Sequence, residues 1–237
     1  MLTPVRLELV GDIDHGCCCT EFFFGHHGYA FPLGHCGSVR VGGYLLGGGL
    51  GWNPGGWGPA CLSVEAVDVV TADARTVRAS ATEHPELFWA ARGGGVGFCG
   101  AAVGFHLRLH PLPAAIITST LAYPLDAIDE VARLLDQSRR SLPPFVEAVL
   151  VVAAGSPSTP AKCVLTATAF AEDEEIATAA LAPLAACPGS LSRSENRRTS
   201  FEMLYTTAGE AYPERHRYLA DAIWSHAGGM AEERRRR

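Results

Sequence analysis

Cys36-Gly-Ser-Val-Arg-Val-Gly-Gly-Tyr-Leu-Leu-Gly-Gly-Gly-Leu-Gly51 sets seven glycines around a small apolar core and contains no lysine. The missing lysine excludes a phosphate-binding loop of the Walker type. Glycine permits close backbone approach and positive φ, and eleven of the chain's 26 glycines lie between Gly34 and Gly58. Backbone N–H groups freed of side chains can line a pyrophosphate without any net positive charge. A glycine-rich structural turn accounts for the same density equally well. A second cluster follows at Gly93, Gly94, Gly95, Gly97, Gly100 and Gly104.

Working outward, Val64 to Val70 and Thr76 to Ala79 read as a hairpin about Asp73 and Ala74. Thr82 reads as the N-cap of a short helix through Pro85, Phe88 and Ala90. Ala102 to His110 alternates as a strand, and Pro111 with Pro113 ends it, so a domain boundary is expected there. Beyond it the spacing predicts strands at Ile116–Tyr123, Val146–Ala153 and Val164–Phe170, with helices at Leu125–Ser138 and Asp173–Leu184. Val131, Leu134 and Leu135 form a core stripe. The texture is α+β.

A chain of 237 residues with 48% hydrophobic and 19% charged residues can bury a core without staples, and it is not globally disordered. The formal charge of −6 argues against a nucleic-acid partner; the one basic run, Arg234 to Arg237, reads as a solvated tail. The longest apolar run, Ala148 to Ala154, is far short of the roughly 20 residues that span a membrane. Eight cysteines, three of them consecutive at 17 to 19, read as free thiols of a cytoplasmic protein.

Four motifs in order carry a resemblance: Ala30 to Trp52, Val67-Asp-Val-Val-Thr-Ala-Asp73, Leu87-Phe-Trp-Ala-Ala-Arg-Gly-Gly-Gly95 and Phe105-His-Leu-Arg-Leu-His-Pro111. Over residues 29 to 111 the sequence resembles the berberine bridge enzyme-like FAD-linked oxidases of the vanillyl alcohol oxidase and p-cresol methylhydroxylase (PCMH) superfamily. The resemblance implies residues 26–113 as the C-terminal half of a PCMH-type FAD-binding domain and 114–237 as part of an α+β substrate domain, with 1–25 unplaced. It implies FAD as cofactor, contacted by Ser38, Val39, Gly42, Gly43, Gly47, Gly48 and Gly49, with Val69 beside the adenosine half. Tyr44 falls where the family places a Tyr or His near the flavin N1 and C2 carbonyl, a use for a hydroxyl donor where negative charge develops. Cys36 matches the cysteine that bonds flavin C6 in bicovalent members; the thiolate attacks, so docked FAD should depress the thiol's ordinary pKa of ~8.5.

The implied reaction passes a hydride from an alcohol, sugar or amine C–H to the flavin and electrons on to dioxygen, with a small molecule as substrate. Catalytic residues remain unassigned. The family's upstream flavin-histidine loop and its downstream catalytic segment have no counterpart in this sequence. The expectation is therefore a chain truncated at both ends and completed by a partner half, or a degenerate, non-catalytic fragment with apolar surface exposed. Leu62-Ser63 replaces the Asp-Asn of many members, and Ala74 replaces their turn glycine.

Several patterns mislead. Gly95-Val-Gly-Phe-Cys-Gly100 spells GxGxxG, but it follows a helix and precedes a strand, the reverse of a dinucleotide fold. Cys17 to Cys19 with His15, His26 and His27 lack metal-ligand spacing, so no metal is expected. His35 beside Cys36 makes a weak nucleophile pair. Cys61 and Cys99 read as small core residues. Glu195, Arg197, Arg198, Tyr205, Tyr212, Arg215, His216, Arg217 and Tyr218 are candidates for a second-domain pocket, against the plainer reading as solvated surface.

Overall fold

The computed structural model describes residues 6–10, 25–155 and 159–211. It divides into two compact units with a junction at Leu112/Pro113. The α+β expectation holds in both. In the first unit an antiparallel sheet runs in the order β1 (Arg6–Val10), β5 (Ala101–Arg108), β3 (Val64–Val70), β4 (Thr76–Ser80). A two-residue pair, β2 (Tyr29–Ala30) with β6 (His110–Pro111), ties the start of the glycine-rich stretch to the end of the unit. Val67, Val69, Phe105 and Leu107 point to one face of the sheet and are almost wholly buried, which is the alternation that strand geometry requires. On the other face Arg78 grips Asp68 through two hydrogen bonds of 2.8 and 3.1 Å, and His106 Nε2 lies 2.9 Å from the same carboxylate. The Arg78 guanidinium, more than His106, holds Asp68 below the usual carboxylate range.

The β3–β4 hairpin turns at Ala74 with φ 58, and Thr71 and Asp73 close the turn by a 2.5 Å hydrogen bond. Helix α3 (Pro85–Ala91) does not start at the expected Thr82 cap. Pro85 occupies its first turn and His84 precedes it at φ 47, while the Ser80 hydroxyl accepts from the backbone N–H of Thr82 and Glu83 in a separate turn. Proline is pre-shaped for the first helical position, so it sets the start.

In the second unit the antiparallel order is β10 (Ser192–Arg198), β7 (Ala115–Pro124), β9 (Lys162–Ala171), β8 (Val146–Ala153). Alternate residues of β7 and β9, including Ile117, Leu121, Tyr123, Leu165 and Ala169, build one core with Val131 and Leu135 of α4 (Ile128–Ser138) and Ala177 and Leu181 of α5 (Glu174–Leu181). Asp173 caps α5 by accepting from the N–H of Ile176 at 2.7 Å. The expected helix through Leu184 ends instead in a 3-10 turn at Ala182–Ala186. The last described helix, α6 (Phe201–Ala211), belongs to the first unit, so the chain past residue 113 is not one block. The Cys17–Cys19 pattern lies outside the described residues.

Candidate functional site

The glycine-rich stretch folds as a helix in its middle. Helix α1 (Val41–Leu46), followed by the single turn of α2 (Pro54–Trp57), is six residues long, two of them glycine, so propensity alone gives it little. Val41 and Leu45, four apart, anchor one side at 1% and 0% exposure. The opposite side presents Gly43 and Gly47, also four apart and both exposed. Two further bonds fix the chain beyond: the N–H of Ala60 and of Cys61 donate to the carbonyls of Gly49 and Gly48 at 2.8 and 3.0 Å.

Tyr44 explains three glycines. Its hydroxyl donates to the Pro32 carbonyl at 2.6 Å. A Cβ on Gly34, Gly49 or Gly51 would stand 3.2, 2.7 or 2.5 Å from Tyr44 atoms, and the one on Gly51 only 2.0 Å from the Leu33 carbonyl oxygen. These glycines exist to let the phenol lie flat in the fold. The phenolic proton is directed at Pro32 in this arrangement.

Other glycines have no such internal reason. Gly43 and Gly97 have nothing within 4 Å of a built Cβ and do not adopt positive φ. Gly93 also opens onto free space, at φ 139. Across from α1, a Cβ on Gly95 would come 4.0 Å from the Gly47 Cα, and one on Gly48 would come 4.0 Å from the Gly93 Cα. The two glycine clusters therefore meet backbone to backbone, and bare main chain is left facing outward. A helical glycine costs ~1 kcal/mol against alanine, so Gly43 in mid-helix calls for something to approach it.

The remaining expected contacts are spread out. Cys36 is exposed, with its Sγ 3.2 Å from Ser38 Oγ, and Ser38 and Val39 are exposed beside it, ahead of α1. Gly42 is buried. Val69 is wholly buried in β3, its Cγ1 only 2.4 Å from a built Cβ on Gly100, so its side chain is core. Cys61 is buried as expected, but Cys99 is exposed, because the turn ahead of β5 carries it outward. His35 packs edge-on against Trp52 with centroids 4.1 Å apart, which occupies the ring that a Cys/His pair would need. Gly95–Gly97 forms a 3-10 turn after α3 and before β5, the order that rules out a dinucleotide fingerprint.

Among the described residues the second-domain pocket candidates do not come together. Tyr205 lies on α6 in the first unit, 8% exposed and 6.0 Å from Trp52. Glu195 pairs with Arg193 and Arg198 with Glu174. Tyr212, Arg215, His216, Arg217 and Tyr218 are outside the described residues. Sequence reasoning missed a stack in the first unit: Trp57 lies on His110 at 5.2 Å and on Phe201 at 6.3 Å, and His110 Nε2 is 3.0 Å from Ser63 Oγ. Burial, with Arg108 nearby, depresses the His110 pKa to about 4. Sequence reasoning also named neither Gly93 nor Gly97 as a candidate contact, although their clustering was a visible signal.

No protein-family model matches the chain. Among curated proteins it is 32% identical over 209 residues to the FAD-linked oxidoreductase ptmO of Penicillium ochrochloron and 32% over 200 residues to the FAD-linked oxidoreductase nodO of Hypoxylon pulicicidum. These alignments cover 85% and 84% of the chain and 45% of each relative, so it spans about half the length of the curated proteins it matches. Among solved structures, 6-hydroxy-D-nicotine oxidase of Arthrobacter nicotinovorans matches with a TM-score of 0.75 at 22% identity, over 89% of the chain and 46% of that protein. The glucooligosaccharide oxidase of Acremonium strictum matches with a TM-score of 0.70 at 23% identity, over 88% and 42%.

Proposed function

On the premise that the chain belongs, over the part that it spans, to the FAD-linked oxidases of the vanillyl alcohol oxidase and PCMH type, we propose that it holds FAD against the bare backbone of its two glycine clusters. The observation that carries this is the pair of open, negative-φ glycines, Gly43 and Gly97, whose lack of a side chain no internal contact explains. The donor set suits the group: backbone N–H for phosphate oxygens, and a flat glycine surface for a planar ring. Gly47, Gly48, Gly93 and Gly95 bring the two segments close enough to make one surface.

When bound, FAD would supply the redox chemistry, accepting a hydride from an alcohol, sugar or amine C–H and passing electrons to dioxygen. The chain's own residues bind and orient. Tyr44 fixes the helix by its bond to Pro32 and is a positioning residue. Cys36, exposed and ahead of α1, is the residue that would hold the cofactor covalently. Its neighbours Ser38 and Val39 are exposed with it, and Gly42 and Val69 take part through main chain only, their surroundings being closed.

The substrate is a small molecule, as the oxidases among its relatives and neighbours suggest. All five described cysteines are free thiols, which fits a cytoplasmic setting, and no helix among the described residues is long and apolar enough to cross a membrane. Reconstitution with FAD tests the reading: flavin should co-elute with the protein, alone or mixed with a polypeptide carrying a relative's upstream segment, and no retained flavin in either sample would overturn it.

A further inference from the structure

The chain just ahead of Cys36 is held residue by residue between two aromatic residues. Tyr44 donates its hydroxyl to the Pro32 carbonyl at 2.6 Å and lies along Gly34, where a Cβ would stand 3.2 Å from its ring. Trp52 takes the residues between: its backbone N–H donates to the Leu33 carbonyl at 3.0 Å, and its ring meets His35 edge-on with centroids 4.1 Å apart. Phe31 to Gly34 are buried, His35 is half-buried and Cys36 is exposed. The next buried residue is Val41, at the start of α1. His35 is therefore the last side chain fixed before the thiol. Past it the Val39 N–H closes one turn onto the Cys36 carbonyl at 3.2 Å.

Trp52 is backed in turn by helix α6. Phe201, Leu204 and Tyr205 are buried, whereas Glu202, Met203 and Thr206 are exposed, so the helix turns one face to the first unit. Tyr205 meets Trp52 edge-on, with centroids 6.0 Å apart and planes at 84°. Phe201, one turn earlier, stacks on Trp57 and anchors the helix start. Ring pairs at these separations attract beyond the area they bury, and the T-shape sets direction as well as distance. Tyr205, Trp52 and His35 thus make a continuous file of rings from α6 to the residue before Cys36.

We propose that His35, Trp52 and Tyr205 are positioning residues for Cys36, with α6 as the element that closes the file. The proposal rests on the reading of Cys36 as the residue that would hold the flavin. An exposed thiol on an unanchored turn samples many positions, and a reacting atom misplaced by ~1 Å can lose about 100-fold in rate. The backbone is fixed on both sides of Cys36, by the ring file before it and by Val41 of α1 after it, which narrows that set of positions. His35 serves by its flat ring and not as a base, since its edge-on seat on Trp52 is one that a phenylalanine would fill as well.

Cys36 alkylation by iodoacetamide, followed by peptide mass spectrometry, and amide hydrogen exchange over residues 34–39 test the proposal on the full chain. Cys99, also exposed, and the central strands β3 and β5 are the references. His35→Ala and Tyr205→Ala should each speed Cys36 alkylation and exchange over 34–39 by about threefold or more and leave the references unchanged, whereas His35→Phe and Tyr205→Phe should keep wild-type rates. Rates at Cys36 indifferent to either truncation overturn the proposal, as does a change that Cys99 and the strands share, which is general loosening. His35→Phe behaving like His35→Ala also overturns it and returns the imidazole to acid–base work. Both readouts are taken without flavin, so they fail apart from the FAD reading: a chain that retains no flavin can still show the ring file, and one that retains flavin can lack it.

Discussion

A valine at Gly43 or Gly97 would project into open space, whereas even an alanine at Gly51 would drive its Cβ to 2.0 Å from the Leu33 carbonyl oxygen. The two kinds of glycine therefore give opposite outcomes. Gly43→Val and Gly97→Val should shift thermal stability by less than ~1 kcal/mol yet abolish flavin retention, read by the absorbance that co-elutes with the protein. Gly51→Ala should cost about 3 kcal/mol, because main chain has to move. Tyr44→Phe should cost about 1 kcal/mol for the lost bond to Pro32, measured by chemical denaturation. The glycine density was legible in the sequence. Which glycines serve Tyr44 and which serve a ligand was not, because that depends on where a Cβ would land in three dimensions. The same limit hid the exposure of Cys99 and the burial of Val69.

Among the elements, those with apolar periodicity were readable and those without were not. β3, β4, β7, β8, β9, α4 and α5 all announce themselves by alternation or helical spacing. β10 is Ser-Arg-Ser-Glu-Asn-Arg-Arg, exposed throughout, and pairs with β7 through backbone and the Ser119 hydroxyl bonded to Asn196, so no apolar side-chain pattern could mark it. Helix α6 is held to the first unit by Phe201 on Trp57 and Tyr205 near Trp52, contacts between residues about 150 positions apart that no local pattern encodes. The Trp57–His110–Phe201 stack carries a pH dependence. His110 is neutral in the fold, with a pKa of about 4 against 6.5 when unfolded, so its contribution is complete above pH 6.5 and drains away as pH falls from 6.5 toward 4. For a partly exposed ring the loss is ~1–2 kcal/mol, since water screens the charge. Denaturation midpoints across that window should fall with pH in the wild type and flatten in His110→Gln. At the β3–β4 turn, Ala74 sits at φ 58, so Ala74→Gly should relieve backbone strain and raise stability by roughly 0.5 kcal/mol, measured by thermal melts.

At the scale of the whole molecule, two α+β units stand on a chain that spans about 45% of its curated relatives. Each unit has its own core, so each should resist exchange of its central strand amides, β5 and β3 in the first and β7 and β9 in the second. The resemblance to FAD-linked oxidases was legible because the four motifs that carry it lie in order within the first unit, where backbone geometry dictates glycine, proline and aromatic positions. The second unit was legible only in texture, since any sheet with helices on one face can be built from such spacing. The central claim is that the open glycine surface holds FAD. The measurement that tests it most directly is flavin absorbance eluting with the reconstituted protein, for the wild type and Gly43→Val side by side, each alone and each mixed with a relative's upstream segment. The account predicts flavin on the wild type in at least one of its samples and none on folded Gly43→Val; flavin on both proteins, or on neither, would contradict it.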